Sequence, residues 1–385
     1  MRIINHKYIS IALAAFLSAQ VFSVSAHTAS PENAGGGLYL VESQDPGFLE
    51  TLAGFSSVEY DRGRTRLVKL TVPYDSLPDE IRAKLRPVSP YEVYNAPAVL
   101  SQKESILPEV LTLVSKVSAD RIKASATAIA MTGKRSAAQL DVTSGSGNKR
   151  TMDLVADTLK GLGYAVERHC YKDRKMDKEC NIAGYRPGPG TDPKTVLVAA
   201  HLDSVGYDNA GADDNASGTA GLLEMARVLA GYRSDHALLF VATNGEENGI
   251  VGAYAYAKKL QASGGMGNLA WAINMDMIAW NRDGVVEIET NKEFIAHADW
   301  VGTMAKLYTR LQPHVASPAW GSDHVPFLEA GVPTYLSIEH WEDHNPCYHK
   351  SCDKPEGLNW NFAADIVKLN LAVIAGKTRL EPARD

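Results

Sequence analysis

The sequence predicts an α/β fold: a mostly parallel central sheet with helices on both faces, preceded by a small α+β pre-domain. Three observations predict it. Short, uninterrupted apolar runs recur along the chain after about residue 106. Segments with apolar residues at helical spacing separate them. Residues 27–105 have a different texture, with strand-like alternation followed by several prolines. Continuous apolar runs are expected of parallel strands buried on both faces, and strand–helix alternation builds such sheets.

The elements follow in order. Residues 1–26 read as an export leader. Arg2 and Lys7 supply positive charge, Tyr8 to Val24 is largely apolar, and Val24-Ser25-Ala26 offers a small-x-small cleavage pattern. The run is short for a membrane span, so the mature chain is expected to be secreted or periplasmic, with no span. Leu38 to Val41 and Arg66 to Val72 read as strands of the pre-domain. Pro78, Pro87, Pro90 and Pro97 then mark a linker. The pre-domain is expected to be a propeptide or an accessory domain. Met152–Leu162, Gly218–Leu229, Val251–Leu260 and Phe362–Ala375 read as helices. Lys194–Ala200, Ala237–Ala242, Leu269–Met275 and Thr334–Ile338 read as buried strands of a domain spanning 106–385.

Of the 385 residues, 45% are hydrophobic and 22% charged, as in ordinary globular proteins, and the formal net charge is −6. No block of like charge invites nucleic acid or an acidic membrane surface. An exported chain meets an oxidising compartment. Its four cysteines fall into two local pairs, Cys170/Cys180 and Cys347/Cys352. Four cysteines allow three connectivities, and the local one closes the shortest loops. Neither spacing is the C-x-x-C of a zinc–thiolate site.

Acids and histidines gather where the apolar strands end, which is where open α/β sheets bind ligands. One strand runs into His201-Leu202-Asp203, the next into Glu246-Glu247, the third into Asp276, and a loop after the fourth carries His349. The acidic turn Gly211 to Gly218, with Asp214, opens the following helix. Each piece alone has an ordinary explanation, such as a helix cap or a solvated turn. Together they supply five donors of the imidazole and carboxylate types that zinc takes: His201, Asp214, Glu247, Asp276 and His349. Two such ions need a bridging carboxylate and a few ligands each. Asp203, two residues past His201, can accept the other imidazole N–H. Glu246 is left over, as a general base for water must be.

These motifs, H-L-D-S, G-A-D-D-N-A-S-G, the Glu246-Glu247 pair, N-M-D-M and N-P-C-Y-H, resemble the M28 family of zinc aminopeptidases, in particular the secreted bacterial leucine-aminopeptidase type. The resemblance implies a phosphorylase/hydrolase-like fold and two Zn2+ per chain. It assigns His201 and Asp276 to one ion, Glu247 and His349 to the other, and Asp214 to the bridge. Glu246 becomes the catalytic base, acting on peptides with a free N-terminus. A cis peptide is implied at Asp214–Asn215. The chain departs from the better-known secreted relatives at Ser317 to Gly321, where it lacks their tyrosine and offers Trp320, and in bracketing His349 with Cys347 and Cys352.

Met277, Trp320, Ile338, Trp341 and Tyr348 lie beside these motifs and are expected to line the substrate pocket, favouring a large apolar residue such as leucine. Glu339, Glu342 and Asp343 are also close in sequence and would instead favour a basic one. Competing readings are a one-zinc glutaminyl cyclase, a related carboxypeptidase or deacylase, and a receptor-like relative that has lost catalysis.

Overall fold

The computed structural model describes residues 37–383 except 44, 63–64, 89–92, 137–145, 174–175, 190–193 and 206–208, so the leader read at 1–26 lies outside the described residues. The first unit runs β1 (Leu38–Glu42), α1 (Pro46–Ala53), β2 (Ser56–Arg62), β3 (Thr65–Leu70), α2 (Asp79–Arg82) and β4 (Leu85–Val88). Its four strands order β2-β3-β1-β4, every pairing antiparallel. This is the split βαββαβ arrangement. Val41, Leu52, Val68 and Ile81 fill its core.

A large sheet then dominates. Its elements are β5 (Tyr94–Pro97), α3 (Pro108–Val114), α4 (Ala119–Ala130), α5 (Gly147–Gly161), β6 (Ala165–Asp173), β7 (Met176–Arg186), β8 (Thr195–His201) and α6 (Gly218–Ala230). There follow β9 (Tyr232–Ser234), β10 (Ala237–Thr243), α7 (Val251–Ala262), β11 (Leu269–Met275), β12 (Val285–Glu289), α8 (Ile295–Tyr308) and β13 (Gln312–Ser317). The chain ends with α9 (Val325–Glu329), β14 (Thr334–Glu339), α10 (Trp360–Lys377) and β15 (Leu380–Pro382). Nine strands order β5-β13-β12-β14-β11-β8-β10-β7-β6.

The four central strands, β14-β11-β8-β10, are mutually parallel, and they are the four apolar runs read from the sequence. The sheet as a whole is mixed rather than mostly parallel. β12–β13 is the one further parallel pairing in this sheet, while β5–β13, β12–β14, β10–β7 and β7–β6 are antiparallel. The flanking strands carry polar residues, so no continuous apolar run announces them. Tyr94–Pro97, on the sequence side assigned to the pre-domain, forms the edge of this sheet.

β8 shows why two covered faces are needed. Val196, Val198 and Ala200 join the large core under α6 and α10, whereas Leu197 and Ala199 join a second core under α7 and α9. Alternate residues of a strand point to opposite faces. An apolar run therefore needs helices on both sides, and the parallel centre has them.

Candidate active site

Four parallel strands bring their carboxyl ends to one rim. β8 ends at His201, β10 leads through Gly245 to Glu246 and Glu247, β11 leads to Asp276, and the loop after β14 carries His349. Gly245 has φ of 84°, a left-handed turn that glycine adopts without strain and that swings the two glutamates back over the sheet. Gly211, at φ 54°, opens the acidic turn. A Cβ there would lie 2.4 Å from the Asp214 carbonyl oxygen and 2.7 Å from an Arg135 nitrogen. Asp214–Asn215 is a cis peptide bond.

The five ligand-type side chains converge. His201 Nε2 lies 3.2 Å from Asp276 Oδ1 and 3.3 Å from Asp214 Oδ1. His349 Nε2 lies 3.1 Å from Asp214 Oδ2 and 3.1 Å from Glu247 Oε2. Asp214 thus presents one oxygen to each imidazole. Glu246 stands back, with Oε2 4.0 Å from His201 Nε2. Asp203 Oδ1 is 3.5 Å from His201 Nδ1, and its two oxygens accept the backbone N–H groups of Glu246 and Glu247 at 3.2 Å each. One carboxylate therefore orients both an imidazole and the glutamate turn.

The charges shape one another. Burial alone would lower His349, but the carboxylates of Asp214 and Glu247 push it up to about 10. His201 is likewise raised well above its ordinary value by Asp276, Asp203 and Asp214, against burial. Asp214, despite burial, is held far below the usual carboxylate range by the two imidazoles. Burial, then Asp214, lifts Glu247 to about 8.

Sequence reasoning missed the supports. Asp353 accepts the N–H groups of Asp213 at 2.9 Å and Asp214 at 3.1 Å, fixing the turn that aims Asp214. Fully buried Arg135 donates to the carbonyls of Leu202, Ala210 and Gly211, tying the loop after β8 to the same turn. Burial lowers it to about 10, and Asp353, Asp203, Asp214 and Glu247 hold it up. Ser322 donates to Asp276 Oδ2 at 2.7 Å. Buried Asp323, bonded by Thr243, faces the same acids. Ser322 and Asp323 lie in the Ser322-Asp323-His324 segment that the family resemblance reaches, and Asp353 follows Cys352; Arg135 has no such signal.

Met277, Trp320, Ile338, Trp341 and Tyr348 all line the cleft over this rim, beside Asp214, Glu246, Glu247, Asp276 and His349. Met277, Leu336, Ile338 and Trp341 form one apolar cluster, with Tyr60 and Tyr348 against it. The nearby acids do not enter the cleft. Glu339 is buried and accepts from Trp280 N and Asn345 N, Glu342 is exposed, and Asp343 faces Arg282. Thr65 of the first unit also lines the cleft, Tyr60 packs on Trp320 at 5.3 Å, and Trp341 Nε1 donates to the Asp61 carbonyl. Both local disulfides are present, Cys170–Cys180 bridging paired positions of β6 and β7 and Cys347–Cys352 closing the His349 loop.

Fold and site together define an α/β protein whose strand ends present an imidazole–carboxylate set of the metal-binding type. The chain belongs to peptidase family M28, whose profile matches residues 181–374. It is similar to leupeptin-inactivating enzyme 1 of Streptomyces exfoliatus, 28% identical over 242 residues that cover 56% of this chain and 52% of that one. It is 31% identical to aminopeptidase YwaD of Bacillus subtilis over 188 residues, covering 46% and 40%. The chain thus spans about half or less of the length of these relatives. Among solved structures, LapB from Legionella pneumophila superposes with a TM-score of 0.63 at 16% identity, covering 88% of this chain and 98% of that one. The zinc aminopeptidase BSAP from Bacillus subtilis gives 0.61 at 18% identity, covering 70% and 97%. A glutaminyl cyclase from Bacteroides thetaiotaomicron gives 0.57 at 19%, covering 68% and 98%. At these identities the likeness is one of fold.

Proposed function

We propose that this chain is a zinc aminopeptidase that holds two ions, His201 and Asp276 on one, Glu247 and His349 on the other, with Asp214 shared. The observation that carries the reading is Asp214, whose two oxygens face two different imidazoles at 3.3 and 3.1 Å. The residues suit such ions. The donors are imidazole and carboxylate, and Glu247 Oε1 is buried without a hydrogen-bond donor. Bound there, two zinc ions would lower the pKa of a water toward neutrality and polarise the scissile carbonyl.

The chain's own residues do the rest. Glu246, buried at the cleft but set back from the donors, accepts the proton of the attacking water and delivers it to the leaving amine. Asp203 keeps His201 oriented and holds Glu246 in place through its backbone. The acid-rich end of the cleft receives the free α-amine, which sets cleavage at the first residue. The apolar wall of Met277, Leu336, Ile338 and Trp341 takes a large apolar side chain such as leucine. The two disulfides support an exported chain.

Zinc content tests the two-ion reading and separates it from the one-zinc cyclase. Metal-free protein titrated with zinc should bind two equivalents through these five side chains, read as the zinc lost when His201 and His349 are both replaced by alanine and counted by mass spectrometry of the metal. His201→Ala and His349→Ala should each lose one of them, and zinc content unchanged in either variant would contradict the assignment.

The first unit restrains this site. Thr65 lines the cleft, and Tyr60 and the Asp61 carbonyl contact two of its wall tryptophans. A chain shortened to begin just before β5, which keeps the sheet edge intact, should hydrolyse peptides with kcat/KM raised about tenfold. That factor is ~1.4 kcal/mol of relieved occlusion. A shortened chain that folds and binds zinc but is inactive would instead give the unit a catalytic part.

A further inference from the structure

A second donor cluster lies on the large sheet, apart from the five rim residues. Glu287 of β12 and His314 of β13 are opposite one another in parallel register, so their side chains share a face. β12 also pairs antiparallel with β14, placing Glu287 opposite Ile338, and His340 follows two residues later, just past the end of β14. One ligand atom from each of Glu287, His314 and His340 lies within 4.8 Å of the other two. Glu287 is fully buried, while both histidines are half-buried, so the cluster opens toward solvent through its imidazoles.

Two features set the cluster apart from ordinary buried polar pairing. Nearby, Glu289, on the same strand as Glu287, meets one imidazole, His324 Nε2 at 3.0 Å, and accepts the Trp320 N–H. Glu287, His314 and His340 instead bring three donors to one point from two strands and from the residue just past a third. His340 is also braced from behind, with Nδ1 2.6 Å from Asp283 Oδ2. That contact engages Nδ1, and a metal at the cluster would take Nε2. Metal-bound histidines usually carry such a carboxylate on the second nitrogen. The two imidazole rings sit 5.6 Å apart at 59°, splayed rather than stacked.

We infer that Glu287, His314 and His340 form a separate site for one divalent transition-metal ion, with Asp283 orienting His340. Two imidazoles and one carboxylate are a zinc-type set of three protein ligands, with a fourth position for water. The site also reaches the substrate cleft. Ile338 and Trp341, on either side of His340 in sequence, line its apolar wall. An ion on His340 therefore anchors that wall.

Metal counting on the full chain tests this. His314→Ala and His340→Ala should each bind one zinc equivalent fewer than the unaltered chain. Asp283→Asn should weaken that same equivalent about 10–100-fold. His201→Ala should lose zinc while keeping this equivalent, so failure here and failure of the rim assignment are told apart. Zinc-soaked crystals of the unaltered chain, measured at the zinc absorption edge, should show an anomalous peak among the three side chains, which keeps the test independent of variant folding. Equal zinc counts in the unaltered chain and both histidine variants, or no peak at that point, would overturn the inference.

Discussion

Glu246→Gln should leave the zinc content unchanged and lower kcat by at least about 10²–10⁴-fold, the loss expected of a missing general base. Glutamine keeps the shape and one acceptor but cannot take a proton. The geometry separates Glu246 from its neighbour. Its carboxylate stands 4.0 Å from His201, whereas Glu247 lies 3.1 Å from His349. Successive residues leaving a strand point to different sides, so adjacent acids take different tasks. Glu247→Gln should instead loosen one ion, and added zinc should restore part of the activity. Zinc stoichiometry and kcat on both variants decide the matter. Full activity in Glu246→Gln, or metal loss there with none in Glu247→Gln, would reverse the assignment.

Asp214→Asn should be the most damaging single change to metal retention. Glu247 and Asp276 each face one imidazole, but Asp214 faces both. Removing its charge should therefore weaken both ions together, by more than the ~10–100-fold typical of a supporting residue, and bring hydrolysis below detection. Asp353→Asn provides the comparison. It loses a carboxylate that accepts the Asp213 and Asp214 N–H groups without itself reaching the cleft. It should fall within that supporting range. Zinc titration of the two variants against the unaltered chain reads both effects. An Asp214→Asn protein that loses only one ion would show that the carboxylate is not shared.

The centre of the fold was legible because its physics is simple. A strand buried on both faces must be apolar throughout, and Lys194–Ala200, Ala237–Ala242, Leu269–Met275 and Thr334–Ile338 are. The flanks were not. β12 alternates Val286 and Ile288 with Glu287 and Glu289 over only five residues, and β13 contains Pro313 and His314, so neither shows a continuous apolar run. Missing them made the sheet read as mostly parallel. The same polar residues that hid these strands form the donor cluster behind the apolar wall.

The rim donors were legible for a related reason. Ligand-type residues placed just past buried strands stand out against apolar sequence. Arg135 and Asp353 do not, since a single polar residue in a loop has no period and no motif. Only the fold shows that Arg135 reaches three carbonyls of a loop more than sixty residues away along the chain. Glu339 teaches the converse. Proximity in sequence to Trp341 suggested a cleft residue, yet its carboxylate is consumed by the backbone of Trp280 and Asn345.

The central claim is that this rim removes the first residue of a peptide bearing a free amine, using bound zinc. Leucine 4-nitroanilide and its N-acetyl counterpart, assayed side by side with native, chelator-treated and zinc-restored protein, test it most directly. The account predicts hydrolysis of the free-amine substrate alone, loss of that activity on metal removal, and its return with zinc. Equal cleavage of the acetylated substrate, or undiminished activity in protein verified to be free of metal, would contradict it.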